Sequence, residues 1–403
     1  MVATASDGAA FGQLLAAVEP VAGPFAAAGF QLHLVGGSVR DALLDRSGDG
    51  DLDLTTDARP DETLALLRTL TDTVWTQGER FGTIGAQVDG RPYEITTHRT
   101  ERYDTGSRKP HVEFADALEE DLARRDFTVN AMAVAVPSGE LVDPYGGRDD
   151  LVSQVLRTPL SPEISFVDDP LRMLRAGRFI ARFGLTPVDD LVAAAVEHAA
   201  RLEIVSVERV LDELAKLLET QRPMAGLRFL ATTGLLARVL PEADVDIDID
   251  ELPAERSLRL AALLSSAPPR TATLRLGRLR ASRELTDAVG FLVGAVAAIP
   301  DDPDAEAVRR WVARGSGWRA ALLLASTIDP LRARSMSAAI DALGSTEDLD
   351  DQSLPVDGGD IMRELGVPSG PEVGAALAEL REHRFRVGPL SRAAALEHLR
   401  RDR

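Results

Sequence analysis

The sequence predicts an α+β fold: a mixed α/β head of about 155 residues followed by an all-α, multi-helix body and tail. Three observations predict it. Short alternating or apolar β-type runs occur only up to about Val142. Beyond about Ser165 the 3.6-residue period prevails and β-branched runs disappear. Breaks rich in Pro, Gly and acid, near 241–252, 299–305 and 345–360, then separate groups of helices. The expected divisions are a head at 1–155, a helical neck at 156–240, a helical body at 241–345 and a helical tail at 346–403.

In order along the chain, residues 10–28 carry a helical apolar period, and Gln31–Val35 reads as a short strand broken by Gly36-Gly37. The following SVRDALL opens a second helix. Asp51–Thr55, Gly82–Val88 and Tyr93–Thr97 read as strands with turn residues between them, and the pattern turns helical from Glu119. Ala133–Val136 and Glu140–Val142 form a last hairpin that ends in Asp143-Pro144-Tyr145-Gly146-Gly147.

Composition excludes several classes of function. With 403 residues there is ample material for two to four domains, and the absence of cysteine removes disulfides, zinc ribbons and thiol nucleophiles. No apolar run approaches the roughly 18–20 residues of a membrane span, so no membrane partner is expected. The opening residues lack the basic start and apolar run of a secretory signal, which makes the cytoplasm the expected location. The net charge of −19 argues against a surface coated for nucleic acid, although it leaves room for a local basic groove. Two stretches run against that sign. Ser266–Arg283 holds five arginines and no acid, and Glu379–Arg403 holds seven arginines against four acids. These are either solvated helix faces or patches that hold a phosphate backbone.

Three constellations carry chemistry. In the first, Gly36-Gly37-Ser38-Val39-Arg40-Asp41 places a glycine turn between a strand and a helix N-terminus, where backbone N–H groups can meet a phosphate and Arg40 can supply positive charge. Asp51 and Asp53 follow at i and i+2 on a strand, so they project to one face. Like charges held side by side call for a cation, and Mg²⁺ suits their oxygen ligands. Glu94, on the strand Tyr93–Thr97, is a third oxygen donor, whereas Asp49 is taken as a solvent-side acid. Two metal ions clamping the attacking and leaving oxygens would suit nucleotidyl transfer. The second constellation, Arg124-Arg125-Asp126 with Asn130, has helix-compatible spacing and the donors and acceptors to bind a triphosphate and a ribose 2′-OH. In the third, Asp168-Asp169-Pro170 caps a helix on which Arg172, Arg175, Arg178 and Arg182 fall within an arc of about 120°. Four cations so close call for an anion or a base edge opposite them.

These motifs, in this order, resemble the tRNA nucleotidyltransferase (CCA-adding enzyme) family, bacterial class II, with its poly(A) polymerase relatives. The matching stretches are GGSVRD…DLD, YEITTHRTERY, SRKPHVEF, EEDLARRDFTVNAMAV, VDPYGGRDDL, ISFVDDPLRMLRAGRFIARFGL and VERVLDEL, which cover residues 30–240 densely. LPVDGGDIMRELGVPSGPEVGAAL resembles the family's C-terminal segment more loosely, and 241–345 matches nothing. The resemblance implies a polymerase-β-like nucleotidyltransferase head and template-independent addition of C and A to tRNA 3′ ends from CTP and ATP. It implies Mg²⁺ at Asp51 and Asp53, phosphate contacts at Gly36, Gly37, Arg40 and Arg125, and ribose contacts at Asp126 and Asn130. It places the base template at Asp169 and Arg172, with Arg175 and Arg178 beside them, braced by a helix carrying Glu208, Arg209 and Glu213. The family's usual Glu-Asp is Asp168-Asp169 here, a shorter outer acid. A carboxylate that accepts and a guanidinium that donates would pair with the edges of both cytosine and adenine, whereas uracil and guanine present the inverse order.

Relatives that add only C or only A, or that synthesise poly(A), share every motif above. A small-molecule nucleotidyltransferase would share the glycine turn and the carboxylates but gives no use for a long helical body. A catalytically dead RNA-binding relative is disfavoured by Asp51, Asp53 and Glu94. None of the six histidines precedes an Asp, so the His-Asp phosphohydrolase activity found in some relatives is not expected.

Overall fold

The computed structural model describes residues 7–46, 52–103, 110–115 and 117–401, so the expected metal ligand Asp51 and the neighbouring Asp49 lie outside the described residues. The head is built on one large sheet. Its strands are β1 (Leu32–Val35), β2 (Leu52–Thr56), β3 (Val74–Trp75), β4 (Thr83–Val88), β5 (Arg91–Thr97), β8 (Ala133–Val136) and β9 (Leu141–Val142). The seven lie in the order β3-β4-β5-β2-β1-β8-β9. A separate antiparallel hairpin pairs β6 (Arg99–Tyr103) with β7 (Pro110–Phe114). Strands β2 and β5 run parallel and the other pairs of the large sheet antiparallel, so the sheet is mixed as predicted.

Helix α1 (Asp7–Ala28) covers this sheet because Phe11, Val18, Val21 and Phe25 recur along one face and are fully buried. They join Leu34, Leu54, Ile84, Tyr93, Ile95 and Val134 in one core. The Tyr93 hydroxyl donates to the Ala17 carbonyl at 2.7 Å and ties the helix to β5. Along β2, Leu52 and Leu54 point into this core while Asp53 points out, the period-2 alternation of a half-buried strand.

Helices α2 (Gly37–Leu43), α3 (Pro60–Leu67), α4 (Leu118–Ala123) and α5 (Gly147–Val152) complete the head. One prediction is corrected here. The helical spacing expected for Arg124, Arg125, Asp126 and Asn130 does not form a helix: α4 ends at Ala123, Phe127 is extended, and Thr128–Asn130 is a single 3-10 turn. Tertiary contacts override the local pattern. The Phe127 ring is fully buried against Phe179, and the Thr128 amide donates to the Arg157 carbonyl at 2.9 Å. The sequence reading also passed over β3, the β6–β7 hairpin and the two-residue parallel pair of β10 (Val155–Leu156) with β11 (Thr186–Pro187). These runs are too short, or too polar, to show a period.

Past the head come α6 (Pro162–Asp168), α7 (Leu171–Phe183), α8 (Asp189–His198) and α9 (Val207–Leu218). Helix α7 begins at Leu171 with Pro170 in the N-cap position, one residue later than a helix opening at Pro170 behind an Asp cap. Helix α7 meets the helix Met224–Thr232 through glycine: a Cβ on Gly226 would lie 2.2 Å from the Gly177 carbonyl oxygen. Residues 1–241 form one compact unit and 242–403 a second. The described part of the second unit is helical from Arg256 to Arg401. Helical groups end at Val239, Ala297 and Gly344, beside the three predicted breaks. Among the described residues no helix is long and apolar enough to cross a membrane.

Candidate active site

The first constellation is held by backbone geometry. Gly36 adopts φ +75° at the cap of α2, a conformation that disfavours any side chain. A Cβ there would also lie 2.8 Å from the Arg125 Nη1, so the glycine makes room for a guanidinium of this chain. Arg40, on α2, is buried. It pairs with Asp41 at 2.7 Å, donates to the Asn130 Oδ1, and lies 4.3 Å above the Phe183 ring. That aromatic seat was not visible in the sequence, because α7 supplies it from far along the chain.

The parallel pairing of β2 with β5 sets Asp53 directly opposite Glu94. Both side chains are exposed, so the two carboxylates stand side by side on the open face of the sheet. Hard oxygen donors in this arrangement fit a divalent cation.

Asp126 is the hub of the second constellation. Its Oδ1 accepts the Asn130 amide at 2.9 Å and its Oδ2 accepts the Arg175 Nε at 2.9 Å. Burial would raise this carboxyl, but Arg175, Asn130 and Arg172 more than reverse that and hold it well below the usual carboxylate range. Asp126 in turn raises the Arg175 guanidinium. Arg124 and Arg125 both reach Asp121, at 2.7 and 3.3 Å. Asp121 is fully buried, and the sequence reading missed it. Its signal was there: it stands three and four residues before the two arginines, the spacing of neighbours on a helix.

Two of the four α7 arginines expected to face an anion or a base edge face carboxylates of the protein itself. Arg175 pairs with Asp126, and Arg178 pairs with the buried Glu213 of α9. Arg182 lies 5.2 Å from the Phe183 ring instead. Arg172 is buried; it donates to the Ser165 Oγ at 2.9 Å and to the Arg124 carbonyl. Asp169 acts partly as a cap, accepting the Leu171 amide at 3.1 Å, while its other oxygen accepts Arg209 of α9 at 3.0 Å. Helix α9 therefore contributes a partner to both Asp169 and Arg178.

One cleft of about 400 Å³ brings these groups together. Gly36, Gly37, Asp53, Asn130 and Phe179 line it with two further aspartates, Asp126 and Asp169, and with Arg40, Arg124, Arg125, Arg172, Arg175, Arg178 and Arg209. Seven arginines line it against three aspartates, and carboxylates outside the lining, Asp41, Asp121 and Glu213, pair with Arg40, Arg124, Arg125 and Arg178. Glu94 lies outside this cleft and lines a second one.

Residues 32–157 match the Poly A polymerase head domain, and 184–247 match the domain described as the probable RNA and SrmB-binding site of polymerase A. A CCA-adding enzyme of Streptococcus gordonii is 33% identical over 377 residues, 90% of each chain. The chain belongs to the CCA-adding enzyme family. A CCA-adding enzyme of Levilactobacillus brevis is 40% identical over 238 residues, an alignment that spans 59% of this chain and 58% of that relative. Among solved structures, the CCA-adding enzyme of Bacillus stearothermophilus in complex with CTP is 27% identical, with a TM-score of 0.76 over 98% of both chains. The CCA-adding enzyme of Thermotoga maritima complexed with tRNA shares the fold at 21% identity and a TM-score of 0.70, covering 97% of this chain and 95% of that one. CCA-adding enzymes thus match both units of this chain, including 241–345, where no motif was legible.

Proposed function

We propose that this chain is a cytoplasmic CCA tRNA nucleotidyltransferase that adds C and A to tRNA 3′ ends from CTP and ATP and releases pyrophosphate. The observation that carries the reading is the single cleft that joins the Gly36-Gly37 turn and Asp53 to seven arginines, a lining suited to the phosphates of a nucleoside triphosphate. Gly37, Arg40 and Arg125 would hold the phosphates, and Asp126 with Asn130 would orient the ribose. Asp169 and Arg172 would read the base edge, with Arg175 and Arg178 fixed beside them by their carboxylate partners. The motif order of the family supports these assignments, and the CTP complex of the Bacillus stearothermophilus relative supports CTP as a ligand.

In the reaction the primer 3′-hydroxyl attacks the α-phosphorus, the bond to the α,β-bridging oxygen breaks, and pyrophosphate leaves. Mg²⁺ held by Asp51 and Asp53, with Glu94 alongside, would make the hydroxyl a better nucleophile and offset charge on the departing oxygens. The chain's own contribution is positional. The ion pairs at Asp126 and Glu213 remove the freedom of the α7 arginines before substrate arrives, so less ordering remains for the bound state.

Sequencing the products formed on tRNA that ends before CCA, with CTP, ATP and both together, tests the reading. Complete CCA is expected only with both nucleotides. Products that stop at CC, or carry runs of A, would assign the chain to one of the partial-specificity relatives.

A further inference from the structure

A second cavity, of about 360 Å³, opens in the head on the Glu94 side of the carboxylates. Strand register explains its form. Asp53 of β2 lies opposite Glu94 of β5, Glu94 opposite Gly85 of β4, and Gly85 opposite Trp75 of β3. These four residues make one row across one face of the sheet. Gly85 leaves a gap in the row, and the Trp75 indole fills it: a Cβ on Gly85 would lie 2.0 Å from the indole Cε2 and Nε1. The indole is thereby laid over the sheet beside Glu94. The partly exposed Phe81 ring, Thr83 and the Arg99 guanidinium wall the same cavity.

We infer that this cavity seats the 3′-terminal nucleoside of the RNA primer, with its base against Trp75 and Phe81 and its 3′-hydroxyl toward Glu94. The argument rests on the nucleotidyl-transfer reading above. In-line displacement requires the attacking oxygen and the departing pyrophosphate on opposite sides of the α-phosphorus. The arginine cleft contains Asp53 and suits the triphosphate; the aromatic cavity contains Glu94, one strand further along the row. The primer end therefore approaches over β4 and β3. Aromatic side chains stack on any base, and this primer must be accepted with different terminal bases as the added sequence grows. Arginines dominate the first cleft, whereas the second carries two aromatic rings, Trp75 and Phe81, and one arginine, which divides triphosphate binding from base stacking.

The test is a double-variant cycle on the full chain, using RNA minihelices that end before CCA and carry either a normal or an abasic 3′-terminal nucleotide. Removing the base should lower wild-type kcat/KM for the primer by about tenfold, the scale of one stacked base. Trp75→Ala should lose a similar factor with the normal primer and nothing further with the abasic one. The dissociation constant for CTP alone should stay within about twofold of wild type, which a merely structural defect would not respect. Phe81→Ala, read in the same way, serves if Trp75→Ala fails to fold. A variant that responds to the abasic primer as strongly as wild type overturns the inference. A wild-type protein that extends no minihelix and no tRNA sinks the underlying function instead.

Discussion

Asp126 shows how one residue sets the geometry of the cleft. Its carboxylate is shared between Asn130 and Arg175, so Asp126→Asn should leave Arg175 without its anion. Breaking a fully buried pair costs about 3–5 kcal/mol, and the partial exposure of Arg175 reduces this to about 2 kcal/mol of stability. Chemical denaturation gives that number directly. Asp169 caps α7 and lines the cleft, where the proposed function sets it against the base. Asp169→Ala should lower stability by about 1 kcal/mol through the missing cap. If it also reads the base edge, discrimination against UTP and GTP should fall by about 5- to 150-fold, the range for one mispaired edge. Comparing kcat/KM for all four nucleotides with the melting temperature separates these roles: lower melting with unchanged selectivity would make the residue a cap. Asp53→Ala should abolish incorporation while the fold and tRNA affinity persist, and near-wild-type turnover would refute its catalytic assignment.

Elements matter where a turn or a helix end aims side chains from different strands. Gly36→Ala meets a positive φ and the Arg125 guanidinium together. It should cost about 1–2 kcal/mol from backbone strain alone. By displacing Arg125 it should also raise the KM for CTP more than the KM for tRNA. Equal KM values for the variant and wild type would show that Arg125 does not touch the triphosphate. The sequence located this turn correctly, because a glycine pair between a strand and a helix is a local signal. It misread the stretch after α4, where i, i+4 spacing exists without a helix. Burial of Phe127 and the strand-like hydrogen bond from Thr128 are nonlocal, and no window of sequence contains them.

At the scale of the molecule, the two arginine-rich stretches are less uniform than their composition. Arg275 pairs with Glu242, Arg392 with Asp360 and Arg400 with Glu364. Arg384 is buried against Gln352 and the Asp351 carbonyl. Removing these would damage the second unit before it altered RNA binding. Arg270, Arg278, Arg381 and Arg386 are exposed. Replacing them with glutamine should weaken tRNA binding and reduce its logarithmic salt slope by about one for each phosphate no longer neutralised, with nucleotide choice unchanged. An unchanged slope would leave them as solvated helix faces. Acid should destabilise the head for a different reason. His33 and His98 are buried with ring centroids 6.0 Å apart. Burial first, and then the neighbouring His98, pushes His33 down to about 4 from 6.5. The unfolded chain takes up this proton near pH 6.5 and the folded chain only near 4, so stability is full above 6.5 and declines as pH falls between those values. The loss should be on the order of 3 kcal/mol. In His33→Phe the slope of melting temperature against pH in that window should be visibly shallower.

Local chemistry in the sequence determined the longer elements of the head, the division between mixed head and helical body, the glycine turn, and most of the residues that line the cleft. Each of these depends on a short-range pattern: a period, a turn or a motif a dozen residues long. Tertiary structure alone decided which charges meet. It set Asp121 beneath Arg124 and Arg125, Glu213 of α9 against Arg178, and Phe183 under Arg40. It also decided that Asp53, Glu94, Gly85 and Trp75 form one row, because β2 pairs with the nonconsecutive β5 and the register of every pair is set only when the strands meet. Ion pairs and stacked rings act over a few ångströms of space, and the sequence separations that bring them together run from a few residues to more than a hundred.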